Sequence, residues 1–263
     1  MSHSLPSAYD LLPELRARFL KKQLCIFLDY DGTMTSIVPD PESAYLSSSA
    51  RELLALLAQQ LPVTVISGRD IKTLLNFIQL PQLNYVGDHG LDIQFEGQRF
   101  HPPELFAILP TLLQVRAEIK TLLADIKNIK IEDKTYSTGV HYRNVDPCWD
   151  QEVVARTEQL VKNYPELRLV YGKRVLDIFP NLTWDKGQAM LWVLDRLQAQ
   201  NAEYFTLYLG DDLTDENAFR VMPKAGAGIL VGGHTGETCA TYWLKDPDEV
   251  KAFLLELSVP NLK

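Results

Sequence analysis

Cysteine is scarce in this 263-residue chain: Cys25, Cys148 and Cys239 are far apart and odd in number. That excludes a disulfide framework and any cysteine-based metal motif, and it points to reduced thiols. Positive charge is also in deficit. With 26 Lys and Arg against 34 Asp and Glu, the formal net charge is -8, so neither nucleic acid nor an anionic membrane surface is an expected partner. No stretch approaches the ~18 consecutive apolar residues of a membrane span. The opening MSHSLPSAYDLLPEL has no basic segment leading into an apolar core, so no signal peptide is expected. Internal repeats, low-complexity segments and Pro/Ser-rich linkers are missing as well. These absences predict a cytoplasmic globular protein, acting as a monomer on a small molecule.

What the chain does contain is organised around Leu24 to Thr35, LCIFLDYDGTMT. The four apolar residues from Cys25 to Leu28 show no polar alternation and stop at an Asp/Gly cluster. This predicts a short parallel strand covered on both faces, with Asp29 at its carboxyl end. Ligands of open α/β sheets collect outside that end of the strands. Asp29 and Asp31 repel each other unless a cation lies between them, and oxygen-only ligands suit Mg²⁺ better than Zn²⁺.

Strands and helices alternate around this segment. Tyr9 to Leu20 has helical apolar spacing, and Ser47-Ser48-Ser49 precedes a predicted helix from Ala50 to Gln60. Val63 to Ile66 is a β-branched strand ending in Ser67-Gly68-Arg69, and a right-handed crossover brings Ser67 to the same sheet edge as Asp29. Asp70 to Gln79 reads as a helix, and Asn84-Tyr85-Val86 runs into Gly87-Asp88-His89-Gly90-Leu91-Asp92-Ile93.

Beyond about Phe100 the alternation breaks. Leu105 to Ile126 is helical with an interruption expected near Pro110, Ile129 to Asp133 and Ser137 to Tyr142 are short strands, and Asp150 to Tyr164 is helical. Leu167 to Tyr171 and Arg174 to Phe179 form a hairpin about Gly172-Lys173. Helix, two strands, helix, two strands predicts an inserted α+β cap over residues 101–180, with 1–100 and 181–263 as the core. Glu132 and Lys134 share one strand face, as do His141 and Arg143, while Lys173 stands at the hairpin and Asp177 projects from the strand behind it.

The alternating pattern then resumes. Trp184-Asp185-Lys186-Gly187 opens a helix from Gln188 to Gln200, and Lys186 in its first turn opposes the helix dipole, which calls for an anion beside it. Tyr204 to Leu209 is a strand running into Gly210-Asp211-Asp212-Leu213-Thr214-Asp215-Glu216, whose crowded carboxylates a cation would stabilise. Ala227 to Val231 is a last strand, Gly232-Gly233-His234-Thr235 a turn, and Asp248 to Leu257 the closing helix.

From about Cys25 to Leu255 these motifs resemble, in order, those of the haloacid-dehalogenase-like phosphatases and, within them, the trehalose-6-phosphate phosphatases. The resemblance implies a doubly wound, mostly parallel α/β core with an inserted α+β cap. It also implies Mg²⁺-dependent hydrolysis of trehalose 6-phosphate through an aspartyl-phosphate. Asp29 would be the nucleophile, Asp31 the general acid and base, and Ser67 and Lys186 the groups holding the phosphoryl oxygens. Mg²⁺ would be held by the Asp29 side chain, the Asp31 carbonyl oxygen and Asp211, with Asp212 and Asp215 orienting ligands, water or Lys186. Gly68, Arg69 and His89 would contact the substrate, and Glu132, Lys134, Arg143, Lys173 and Asp177 its sugar; His141, on the strand face of Arg143, is a further candidate from the strand pattern alone. Three positions depart from the family: Asp177 replaces a Glu, Phe179 stands where Arg is usual before Pro180, and Leu213 stands where many members carry Arg. The residues alone leave open a phosphatase of another sugar phosphate, such as sucrose phosphate, a mannosyl phosphoglycerate or a hexose phosphate. They also leave open a non-catalytic sugar-phosphate sensor.

Overall fold

The computed structural model describes residues 5–21, 23–38, 41–172, 174–199, 203–233 and 237–258. Two compact units are present, Met1–Phe100 with Trp184–Lys263, and His101–Thr183.

The first unit begins with α1 (Leu12–Leu20), β1 (Leu24–Asp29), α2 (Ser48–Ala58), β2 (Val63–Ile66), α3 (Ile71–Ile78), β3 (Asn84–Gly87), β4 (Asp92–Phe95) and β5 (Gln98–Phe100). The second unit contributes α4 (Leu105–Leu122), β6 (Lys130–Asp133), β7 (Thr138–His141), α5 (Asp150–Val161), β8 (Leu167–Gly172) and β9 (Val175–Pro180). The chain then completes the first unit with α6 (Lys186–Gln198), β10 (Phe205–Gly210), α7 (Glu216–Arg220), β11 (Gly226–Val231), β12 (Tyr242–Leu244) and α8 (Pro247–Ser258).

The large sheet has the order β12-β11-β10-β1-β2-β3-β4-β5. Every pair from β12 to β3 is parallel, and β3-β4 and β4-β5 are antiparallel. All six residues of β1 are buried because it lies in the middle with helices on both faces. Leu24, Ile26 and Leu28 enter one apolar layer with residues of α1, α2, α3 and α8. Cys25 and Phe27 enter the opposite layer, with Ala189, Met190, Val193 and Leu194 of α6. Each such large apolar side chain contributes about 1.5–3 kcal/mol when buried, so the two-sided covering fixes the register of β1. By the same alternation Asp29 follows Cys25 and Phe27 onto the α6 side.

β1 is the place where the winding reverses, since β2 lies on one side of it and β10 on the other. Such a switch point leaves a crevice at the carboxyl ends of the strands. Three of the helices that follow strands here are capped by side chains. Ser47 Oγ accepts from Ala50 N at 3.3 Å, Asp70 Oδ1 from Thr73 N at 2.9 Å and Asp185 Oδ1 from Gln188 N at 3.0 Å.

In the second unit the sheet order is β6-β7-β9-β8, antiparallel throughout. Val140, Leu176 and Ile178 pack against Leu112, Val115 and Ile119 of α4 and Val153 and Val161 of α5. The interruption expected near Pro110 is absent: α4 runs unbroken from Leu105 to Leu122 with Pro110 inside it. Proline within a helix costs about 3 kcal/mol. Burial of Leu105, Leu112, Val115 and Ile119 on α4 outweighs that cost, at about 1.5–3 kcal/mol each. The three cysteines are free, Cys25 buried and Cys148 and Cys239 exposed. Among the described residues no helix is long and apolar enough to cross a membrane.

Candidate active site

The site is assembled where β1, β2, β3 and β10 end and α6 begins. Asp29 closes β1 and is buried. Lys186, the first residue of α6, is 2% exposed, and its Nζ donates to Asp29 Oδ1 at 2.7 Å and to Asp215 Oδ1 at 2.8 Å. A lysine at a helix N-terminus opposes the macrodipole, and here two carboxylates compensate it. Asp215 in turn is saturated. Besides Lys186, its Oδ1 accepts from Tyr208 OH at 2.7 Å, and its Oδ2 accepts from the backbone N–H of Asp211 at 3.0 Å and of Asp212 at 3.1 Å. Four donors on one carboxylate make Asp215 a fixed strut for Lys186 and for the acidic loop.

Asp211 follows β10 and leans toward β1. Asp29, Asp211 and Asp215 each offer an oxygen within 4.8 Å of the others. Burial pushes Asp29 well above the usual carboxylate range, with Lys186 opposing the shift and Asp215 and Asp211 adding to it. Asp211 is pushed up to about 7, again chiefly by burial and then by Asp215 and Asp212. Lys186 is raised in spite of its burial, because Asp215 and Asp29 flank it. One lysine does not neutralise this cluster, and an oxygen-only donor set suits a hard divalent cation. The residues therefore fit such an ion. Asp29 and Asp211 are the side chains that could hold it, since the oxygens of Asp215 already accept four hydrogen bonds.

Gly32 makes this approach of β1 and β10 possible. Its φ is +91°, and a methyl group there would lie 2.1 Å from Asp211 Oδ2. The turn closes when Thr35 N donates to Tyr30 O at 3.0 Å and Gly32 N to Thr35 O at 2.7 Å, so the carbonyl of Asp31 takes no part in it. Thr33 Oγ1 donates to Asp211 Oδ1 at 3.4 Å. The Asp31 carboxylate turns away from this cluster to Arg69, whose Nε and Nη2 donate to Oδ2 and Oδ1, both at 2.6 Å.

Ser67 follows β2 and is buried; its Oγ accepts from Arg69 N at 3.1 Å. That leaves the hydroxyl proton to be donated elsewhere. Gly68 lies against His89, and a methyl group on it would sit 2.4 Å from His89 Nε2. The His89 turn is fixed from two sides: His89 N donates to Ser67 O at 3.0 Å, and Trp184 Nε1 donates to Gly90 O at 2.6 Å. Gly90 has φ +110°, and a methyl group there would lie 2.6 Å from Asp185 O, so this turn packs directly on the start of α6. Asp212 is exposed, and its Oδ1 accepts from Thr214 N at 2.7 Å and Thr214 Oγ1 at 2.6 Å.

The small sheet carries its own polar cluster on the face opposite its apolar layer. Glu132, Gly139 and Asp177 lie directly across from one another on β6, β7 and β9. His141 Nε2 and Glu132 Oε2 are 2.8 Å apart, and Lys134 Nζ donates to Asp177 Oδ1 at 2.8 Å. The hydrogen bond to His141 holds the Glu132 acid below its usual range, against a partial burial that raises it. Gly139 forms the floor between them; a methyl group there would meet His141 Nε2 at 2.8 Å, Asp177 Oδ1 at 3.2 Å and Glu132 Oε2 at 3.3 Å. Arg143 is exposed in a turn past the end of β7, so the strand alternation that pairs it with His141 stops short of it. Lys173 lies outside the described residues, as do His234 and Thr235.

Sequence patterns alone passed over Tyr208, Trp184 and Gly139. Nothing local separates Tyr208 from an ordinary core tyrosine; only the fold brings its hydroxyl to Asp215.

The chain matches the family model described as trehalose-phosphatase over residues 27–247. It is 36% identical over 264 residues to probable trehalose-phosphate phosphatase E of Arabidopsis thaliana, covering 96% of this chain and 75% of that protein. It is 37% identical over 263 residues to probable trehalose-phosphate phosphatase 4 of Oryza sativa subsp. japonica, covering 96% and 70%. Its fold is similar to the C-terminal domain of the C. albicans trehalose-6-phosphate phosphatase, with a TM-score of 0.76, 22% identity and coverage of 98% and 99%. It is also similar to the C-terminal domain of the Candida albicans trehalose synthase regulatory protein, with a TM-score of 0.72, 12% identity and coverage of 98% and 100%. At these identities the structural likeness establishes the fold alone, and the chemistry has to be argued from the side chains.

Proposed function

The chain belongs to the trehalose-phosphatase family, and from that premise we propose that it hydrolyses trehalose 6-phosphate to trehalose and phosphate, with Mg²⁺ as the divalent ion. The observation that carries this reading is the buried Asp29–Lys186–Asp215 chain beside Asp211, which a binding module has no need of. Asp29 attacks phosphorus in line, so that one difficult displacement becomes two easier ones. Asp31 protonates the departing sugar oxygen and then takes a proton from the water that cleaves the aspartyl-phosphate. Ser67 donates to a phosphoryl oxygen, and Lys186 balances the negative charge of Asp29 and the phosphoryl group.

Asp29, Asp211 and the Asp31 carbonyl would hold the Mg²⁺, which when bound neutralises charge so that an anionic ester can approach an anionic nucleophile. Phosphate monoesters demand accelerations up to ~10²¹ over the uncatalysed reaction, which no single carboxylate supplies. Positioning and fixed charges must act together. Asp212 holds the acidic loop through Thr214, and Gly68 and His89 contact the phosphoryl end. Specificity for the sugar is assigned to Glu132, Lys134, His141, Arg143, Lys173 and Asp177. The working state is a cytosolic monomer, which light scattering on the purified protein tests for oligomeric state.

The deciding experiment is phosphate release from a panel of sugar phosphates, with Mg²⁺ and with EDTA. Preference for trehalose 6-phosphate, lost in EDTA, is expected. Preference for sucrose phosphate, a mannosyl phosphoglycerate or a hexose phosphate would overturn the substrate assignment, and no release at all would favour a sensor.

A further inference from the structure

Arg69 stands directly after Ser67-Gly68, where a phosphate-binding arginine is the first expectation. Its guanidinium is engaged otherwise. Nε and Nη2, the edge that grips an anion in a bidentate fashion, both lie 2.6 Å from the two oxygens of Asp31. The guanidinium carbon sits 5.1 Å from the ring centroid of Phe77 on α3 and 5.8 Å from that of Tyr30, so two aromatic faces set its plane. Its backbone is tied at both ends. Arg69 N donates to Ser67 Oγ at 3.1 Å, and Asp88 N donates to Arg69 O at 2.9 Å.

A carboxylate has about four lone-pair sites. A fork-on-fork contact uses one on each oxygen and leaves one on each. Rotation about the Cβ–Cγ bond of Asp31 is thereby restricted. A lysine could supply the charge, but not this two-point control of the plane.

We propose that Arg69 is the positioning residue of Asp31, acting on proton transfer through that carboxylate and not by binding the substrate. The inference rests on the phosphatase reading above and adds a division of labour to it. In the first half-reaction the bond from Asp29 Oδ to phosphorus forms, the ester P–O bond breaks, and the sugar oxygen takes its proton from Asp31. In the second, water attacks phosphorus, its proton passes to Asp31, and the Asp29–phosphorus bond breaks to release phosphate. With p-nitrophenyl phosphate the leaving group departs as a stable anion and needs no proton, so the first half-reaction becomes independent of Asp31.

The test compares wild type with Arg69→Met, which keeps the apolar stem against Phe77, and with Arg69→Lys, which keeps the charge. Each full-length protein is assayed in saturating Mg²⁺. With enzyme in excess, p-nitrophenolate release by both variants is expected within about 2-fold of wild type. Steady-state turnover of p-nitrophenyl phosphate and of trehalose 6-phosphate is expected to fall on the order of 10- to 100-fold, as loss of an aligned general acid and base requires. For p-nitrophenyl phosphate KM should fall together with kcat, so that kcat/KM stays within about 2-fold of wild type, and intact-mass measurement should find phosphorylated chain accumulating.

A single-turnover rate that falls as far as the steady-state rate would mean that Arg69 touches the phosphoryl group, and would overturn the inference. So would a raised KM with kcat intact, or unchanged kinetics. If Arg69→Met does not fold, the same outcomes are read from Arg69→Lys. If wild type takes up no phosphoryl group from any ester, the phosphatase reading fails and this inference with it. If wild type turns over p-nitrophenyl phosphate but not trehalose 6-phosphate, only the sugar assignment fails, and the p-nitrophenyl phosphate comparison still decides the role of Arg69.

Discussion

Lys186 Nζ lies 2.7 Å from Asp29 Oδ1, although the two residues are 157 positions apart in the chain. The contact joins the end of β1 to the start of α6, and both partners are buried. A buried charge whose partner is removed costs far more than the pair contributes when complete.

Lys186→Met therefore strands Asp29 and Asp215 without a counter-charge. Stability is expected to fall by about 3–5 kcal/mol, and turnover to drop below detection. Asp29→Asn is expected to behave differently. It removes the proposed nucleophile and a poorly solvated charge together, and Lys186 keeps Asp215. Calorimetry should find the Asp29→Asn protein close to wild type in Tm while phosphate release is abolished. Retained turnover would sink the covalent mechanism.

At Gly32 two independent requirements coincide, the positive φ and the 2.1 Å that a methyl group would leave to Asp211 Oδ2. Gly32→Ala should cost about 1–2 kcal/mol from the backbone conformation alone and push Asp211 off its position. Mg²⁺ affinity by titration calorimetry is expected to weaken at least about 10-fold, as for other disturbed ligand shells. An unchanged affinity would mean that Asp211 is not a ligand.

The raised acids at Asp29 and Asp211 make a pH prediction with a definite sign. A carboxyl whose folded pKa lies above its unfolded value contributes stability that is complete below the unfolded pKa and disappears as pH rises through the folded one. For Asp211, raised to about 7, that window runs from roughly pH 4 to pH 7. In EDTA the protein should lose on the order of 1–3 kcal/mol across it, after allowing for partial exposure to solvent, or about 2–4 °C of Tm per kcal/mol. Mg²⁺ should restore more stability at pH 8 than at pH 5. Equal gains at the two pH values would show that the ion does not replace protons on these carboxylates.

On the small sheet, Gly139 lies between Glu132 and Asp177 on their shared row. Gly139→Val should fill that depression while leaving the strand able to pair. We expect KM for trehalose 6-phosphate to rise about 10-fold, or ~1.4 kcal/mol, with p-nitrophenyl phosphate kinetics unaltered because that substrate has no sugar to place. A change in both substrates alike would remove the sugar-binding role from this face.

Much of the fold was legible in the chain. Cys25 to Leu28 could only be a doubly covered strand, and β2 has the bounds that its β-branched run predicted. The first motif, Ser67 and the Asp211 loop were marked by polar residues abruptly ending apolar segments, and Lys186 by its place in the first turn of a helix, against the dipole. Other elements were not legible. The β4–β5 hairpin and the three-residue β12 are too short for their periodicity to register, and they exist because β3 and β11 offer open edges to pair with. Pro110 reads locally as a helix breaker, yet packing of α4 on the small sheet overrides it. Arg143 reads as a strand-face residue, yet β7 ends at His141.

By itself the sequence determined which chemical groups stand at the strand ends, because that information lies in short contiguous patterns of apolar runs, carboxylates, glycine and one lysine. Only the tertiary structure decided how those groups are paired. Lys186 divides itself between Asp29 and Asp215, Tyr208 completes the shell of Asp215, and Asp31 is held by Arg69 apart from the other carboxylates. These pairings depend on strand order and helix placement, which bring together residues from distant parts of the chain. Coulomb and hydrogen-bond energies change over a few ångströms, a scale on which sequence spacing between separate elements carries no information.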